Sequence, residues 1–178
     1  MAKPTTMTDM DKIKTAFERN AEALAIRPGI GQGTAVTRVR VQQDMTCEIE
    51  DGPWKLVADM AGKHGGNNEG PNPGVYGRAA LGSCLAIGYI RWAAKLGVPL
   101  TGVEVEVQAD YDARGEYAIA DIPADYTEIR YVVSIESPAG EEQILQVLDQ
   151  ADAHSSFYDI FARPQKLKRE VRINARKI

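Results

Sequence analysis

Histidine and cysteine are scarce in this 178-residue chain, with two of each: His64, His154, Cys47 and Cys84. Two cysteines cannot build a disulfide framework, and neither sits in a C-x-x-C, which excludes a zinc ribbon or a thioredoxin-type motif. A metal site from these four residues is conceivable, but their spacing matches no ligand pattern. The expectation is therefore no metal and no cofactor. Charge bias is also lacking. The 21 Lys and Arg against 25 Asp and Glu leave a net charge of −4, which gives no electrostatic reason to bind nucleic acid or an anionic membrane. Lys166, Lys168, Arg169, Arg172, Arg176 and Lys177 gather near the C-terminus, but they alternate with apolar residues and read as a solvated strand face. Long apolar runs are missing too. The longest charge-free stretch, Ala79 to Ile90, is shorter than the ~20 residues of a spanning helix. Met1 to Lys14 holds no apolar segment of a secretory signal. The expected setting is a soluble, cytoplasmic one. What the chain does contain is 44% hydrophobic residues, enough for a core, at a length that suits one domain with an appendage.

Residues 8 to 27 predict an amphipathic helix: Met10, Ile13, Phe17, Ala21 and Leu24 follow helical spacing, Thr8 or Asp9 suits its start, and Pro28-Gly29 ends it. The glycine run Gly29-Ile30-Gly31-Gln32-Gly33 precedes a strand instead of opening a helix. That context is wrong for a dinucleotide fingerprint and reads as a flexible linker. Residues 35 to 60 predict a β-meander with a turn at Asp51-Gly52-Pro53. The glycine-rich stretch Gly62 to Gly74 lacks the Gly-Lys-Ser/Thr ending of a phosphate loop and reads as a mobile connection. Asn72 as cap and Pro73 at the first helical position then predict a long helix to Leu96, closed by Gly97. Ala79 to Ile90 is apolar on every face of that helix, so all sides must be covered. Residues 102 to 112 and 127 to 136 alternate as strands, joined by a polar loop over 113 to 125. Ser137-Pro138 opens a second helix, with Ile144, Leu148, Ala151, Ser155 and Tyr158 on one face and Pro164 at its close. A last strand carries Leu167, Val171 and Ile173. Antiparallel strands with intervening helices mean an α+β fold.

Among chemically capable residues, Cys84 stands in the middle of the apolar helix. A buried cysteine is most often a small apolar filler, and so is Cys47 on its strand. The N-terminus of Cys84's own helix is about a dozen residues away, too far for its dipole to act. A reactive Cys84 therefore needs a cation from elsewhere. Arg91 lies two turns on, about 10 Å along the axis, and Arg78 points elsewhere. His154-Ser155-Ser156 does not make a hydrolase dyad, because neighbours on a helix diverge by about 100°, and no Gly-x-Ser-x-Gly elbow occurs.

The run Asn72-Pro73, then Ala79-Ala80-Leu81-Gly82-Ser83-Cys84-Leu85-Ala86, resembles the OsmC/Ohr family, the osmotically inducible and organic hydroperoxide resistance proteins. Gly65-Gly66 with Gly70-Pro71, the helix exit Gly97 to Val103 and Ala153-His154-Ser155 extend the likeness over residues 35 to 174. This divides the chain into an appendage, 1–30, and an OsmC-like domain, 31–178. The resemblance implies antiparallel sheets packed around two long central helices in an intertwined homodimer, which would cover the apolar helix without a membrane. It implies that Cys84 attacks an organic hydroperoxide and becomes a sulfenic acid, with an Arg and a Glu holding it as thiolate. A second cysteine on the later helix would resolve it, and an external thiol would restore it. Two departures stand out. Ser155 occupies the place of the resolving cysteine, and a hydroxyl cannot form a disulfide; Gly74 occupies the place of the Glu. Arg38 and Arg40 are candidates for the Arg, and His154 and Ser155 are candidate supporting residues. Two functions are consistent with this pattern: a one-cysteine hydroperoxide reductase, relying on an external thiol or on Cys47, and a non-catalytic binder of a small apolar ligand in the dimer pocket. An N-terminal helix docked on the sheet or on the partner chain completes the expected arrangement.

Overall fold

A computed structural model describes residues 7–41, 44–174, 176 and 177. In chain order its elements are α1 (Met7–Ile26), β1 (Arg38–Arg40), β2 (Cys47–Asp51), β3 (Trp54–Ala58), α2 (Pro73–Leu96), β4 (Gly102–Tyr111), α3 (Ala113–Glu116), β5 (Tyr126–Glu136), α4 (Glu141–Asp152), α5 (Ser156–Ala162), β6 (Arg172–Ile173) and β7 (Arg176–Lys177). The strands form antiparallel sheets in the orders β1-β2-β3, β4-β5 and β6-β7. The fold is α+β, as the alternation of strand and helix patterns implies.

The centre of the molecule is α2 laid across the β4-β5 hairpin. The Asn72 side chain accepts from the Val75 amide at 3.2 Å, and Gly97 closes the helix at φ 71°. Such a cap is worth about 1 kcal/mol, and the left-handed residue at the exit favours glycine. Leu81, Leu85 and Tyr89 face the hairpin and pack with Val103, Val105, Val107, Ile129, Tyr131 and Val133, the inward-pointing residues of β4 and β5. Gly82 allows the closest approach, since a Cβ there would lie 3.3 Å from Val107 Cγ2. A second cluster joins Ala93, Val98, Leu100 and Val147. Truncating a fully buried residue such as Leu85 would cost roughly 2–5 kcal/mol.

Covering α2 on all sides is only partly achieved within one chain. Ala79 and Ser83 are exposed, and Ile87 on the same stripe is 61% exposed. The meander is open as well: Val39, Leu56 and Val57 are exposed and Trp54 is 70% exposed.

Several expectations need correction. The glycine-rich connection before α2 is tightly organised. Asp59, 2% exposed, accepts the amides of Met60, Asn67 and Glu69 and the Thr46 hydroxyl at 2.7–3.2 Å. The Glu69 amide does most to hold its carboxyl below the usual range; burial opposes this, and the remaining hydrogen bonds add to it. A Cβ on Gly66 would lie 2.0 Å from the Met60 carbonyl oxygen, so this glycine is required by close backbone approach. The second long helix is two helices. α4 starts after Gly140, and it ends at Asp152 because Ser155 leaves the helical path and caps α5 by accepting from Tyr158 N at 3.3 Å. Serine competes well for that role. The linker begins as a 3-10 turn over Pro28–Gly31, and the 113–125 loop contains α3, capped by Asp112. The last strand begins only at Arg172; Leu167, 93% exposed, precedes it with no sheet to pack on. α1 begins at Met7, so Thr8 and Asp9 fall within its first turn, and the residue before it lies outside the described ones. It packs on α2, not on a sheet: the Phe17 ring meets Trp92 edge-on at 5.6 Å, beneath Arg91 and Lys95. Among the described residues, no helix is long and apolar enough to cross a membrane.

Candidate active site

Cys84 lies on the side of α2 that faces α4 and α5. One turn later on that side is Gly88, where a Cβ would sit 3.7 Å from Ala151 Cβ in α4. This close packing brings the break between α4 and α5 against the thiol. Cys84 Sγ is 3.4 Å from Ser155 Oγ and 3.7 Å from Ser156 Oγ. Partial burial pushes the thiol pKa up. The Ser155 hydroxyl, the Phe157 amide, and the Ser156 hydroxyl and amide pull it down, and the balance falls below the ordinary value. These donors favour thiolate without a formal cation.

The helix-start effect that α2 is too long to supply comes from the first residues of α5. Helical periodicity reads 138–163 as one helix and so misses the contribution of Ser156 and Phe157. The available signal is Ser155 with Asp159 in the following turn, an acid placed as helix starts favour.

The other candidates are distributed as follows. Ser155 touches Cys84 and is buried. His154 is turned away: its Nδ1 is 2.7 Å from the Gln150 carbonyl oxygen and its ring rests on Trp92, 4.8 Å between centroids. Arg40 pairs with Glu50 at 3.8 Å across the meander, and Arg38, at the start of β1 and opposite Glu50 in the register, is exposed. Among the described residues, neither arginine nor His154 is among the groups that act most strongly on Cys84. Arg91 lies over Phe17. Gly74, where the resemblance expects Glu, borders an Arg78–Tyr126 contact: Arg78 Nη1 donates to the Tyr126 hydroxyl at 3.3 Å, and that hydroxyl lies 3.5 Å from the Gly74 carbonyl oxygen. Cys47, on β2, has the Met45 carbonyl as its contact at 3.7 Å.

A thiol cradled by hydroxyls and amides on the central helix is the setting to compare with known proteins. The family described as OsmC-like protein matches residues 65–170, more than half of the chain, with Cys84 and Ser155 inside the match. The chain belongs to the OsmC family. Solved structures agree in fold. An OsmC-like protein from Mycoplasma pneumoniae superposes with a TM-score of 0.64 at 14% identity, over 74% of this chain and 89% of that one. An organic hydroperoxide resistance protein OsmC from Legionella pneumophila gives 0.51 at 15%, over 71% and 88%. An OsmC-like hydroperoxide resistance protein from Jannaschia sp. gives 0.51 at 16%, over 81% and 95%. No curated protein matches the sequence. Family and fold leave the chemistry to be argued from the site, and this OsmC-like chain carries its single site cysteine opposite a serine.

Proposed function

We propose that this OsmC-like protein reduces organic hydroperoxides with Cys84 as its only reacting cysteine. The observation that carries this reading is the pair of hydroxyls, Ser155 and Ser156, set 3.4 and 3.7 Å from the Cys84 sulfur. They lower the thiol pKa and can hydrogen-bond an oxidised sulfur, but they offer no sulfur to bond with it. The thiolate attacks the outer, hydroxyl oxygen of the hydroperoxide, the O–O bond breaks, and the leaving alkoxide takes a proton from water to depart as the alcohol. Cys84 is then a sulfenic acid. An external thiol displaces its oxygen as water and forms a mixed disulfide. A second external thiol attacks that bond, releasing Cys84 and an external disulfide, so two thiols are oxidised for each hydroperoxide reduced.

The working unit is a homodimer. The exposed Ala79 and Ile87 on α2 and the exposed Val39, Trp54, Leu56 and Val57 of the meander supply apolar surface. A second copy would bury it in an interface above roughly 2,000 Å². Light scattering should give a dimer mass at micromolar concentration; a monomer mass would remove this part of the reading.

The test of the chemistry is cumene hydroperoxide treatment with and without dimedone, read by mass spectrometry on wild type, Cys84→Ser and Cys47→Ser. A dimedone adduct on Cys84 is expected. An adduct on Cys47 alone would overturn the assignment, and no adduct on either cysteine would favour a binder of small apolar ligands instead.

A further inference from the structure

The Cys84 cradle depends on Ser155, and Ser155 is held from below by a polar cluster with no part in the chemistry above. Tyr89 is fully buried on α2, yet its hydroxyl donates to Asp152 Oδ1 at 2.8 Å. Tyr131, on β5, donates to Asp152 Oδ2 at 2.8 Å. One carboxylate at the end of α4 is thus hydrogen-bonded to both the central helix and the hairpin. The same residue's carbonyl accepts the Ser155 amide at 3.2 Å. Ser155 Oγ in turn accepts the Tyr158 amide at 3.3 Å, and the Tyr158 ring meets Tyr131 edge-on at 6.4 Å. The path Tyr131, Asp152, Ser155, Tyr158 closes on itself, and Cys84 touches it at Ser155.

We propose that Asp152, clamped by Tyr89 and Tyr131, is a positioning residue that sets Ser155 against Cys84 and so tunes the reactivity of the thiol. The inference rests on Cys84 being the reacting group. A half-buried carboxylate bound by two phenols is costly to assemble and to disturb, and an apolar contact would have served to seal α4 onto the sheet. The clamp fixes direction as well as distance, because each carboxylate oxygen has its own donor from a different element. Both phenols are held protonated well above their ordinary range, first by burial and then by their bonds to Asp152. They therefore remain donors across the working pH range.

The sign of the effect separates positioning from plain electrostatics. A negative charge near a thiol raises its pKa, so removing the charge of Asp152 would by itself make Cys84 more acidic. Loss of positioning does the opposite, because Ser155 drifts off the sulfur. The experiment is the pH profile of Cys84 alkylation by iodoacetamide, followed by peptide mass spectrometry on the full chain, for Asp152→Asn, Tyr131→Phe, Ser155→Ala and the double variant Asp152→Asn/Ser155→Ala. Asp152→Asn should move the profile up by about half a pH unit or more, a loss of roughly threefold at neutral pH. Tyr131→Phe, which keeps the charge, should move it in the same direction by less, and it remains informative if Asp152→Asn does not fold. The double variant should match Ser155→Ala alone, because both changes act through one contact. An unchanged profile, a downward shift or simple additivity would each overturn the proposal. Dimedone trapping on the same samples keeps the two ideas apart: absence of a sulfenic acid defeats the peroxidase reading, while the alkylation profile still reports on Asp152.

Discussion

Cys47 and Cys84 are the same side chain in two different settings, and the proposed chemistry rests on the contrast between them. Cys47 sits on a short strand of an open meander, with one weak contact to the carbonyl of Met45. A carbonyl can only accept, so the thiol is the donor in this contact. Cys84 sits on a central helix, and two hydroxyls and two amides from the α4–α5 break favour its ionised form. Burial works against that form, yet the donors outweigh it. Reactivity follows from the donors gathered around a sulfur more than from its exposure.

The contrast can be broken most completely by Cys84→Ser. This change should abolish peroxide-dependent thiol loss and the dimedone adduct, leaving Cys47 untouched, as read by peptide mass spectrometry. Ser155→Cys should change the product instead of the rate. An introduced sulfur at the place of an oxygen 3.4 Å away needs only a small movement to reach the ~2.05 Å of a disulfide. Peroxide should then yield an internal disulfide to Cys84, visible in non-reducing peptide maps, and the sulfenic acid should no longer accumulate. Ser155→Ala removes a donor to the thiol and the cap of α5. Its thiol pKa should rise toward the ordinary value, so the alkylation profile moves to higher pH. The rate at neutral pH then falls several-fold, by roughly ten times for every pH unit the profile moves. Lost capping should lower stability by about 1 kcal/mol in a urea titration. Cys47→Ser should change the Cys84 profile by nothing measurable; a clear change there would show that the two thiols communicate.

Features with local causes are legible in the sequence. The Asn72 cap, Pro73 and Gly97 bound α2, and period-two alternation marks β4 and β5. The resemblance around Cys84 points to the family that the matched region confirms. Features set by competition between local and distant partners are not legible. Helical periodicity runs from Pro138 to Arg163 without a break, so the acid Asp159 is the faint sign that Ser155 caps a new helix beneath the thiol. Glycines over 62 to 74 suggest mobility when counted. Gly66 instead lets the backbone wrap Asp59, a residue whose partners Thr46, Asn67 and Glu69 come from both sides of it in sequence. Phe17 falls on the apolar stripe of α1, but its partner Trp92 lies 75 positions away and cannot be read from periodicity.

That ring contact has an optical consequence. The protein has two indoles, and they differ in surroundings: Trp54 faces solvent, whereas Trp92 is enclosed by Phe17, Lys95 and His154. Indole emission moves to shorter wavelengths in apolar surroundings and to longer ones in water. With Trp54→Phe, the remaining fluorescence comes from Trp92 alone and becomes a gauge of whether α1 is seated. Lifting the helix should shift that emission to the red, so its docking can be followed in real time and without an attached dye.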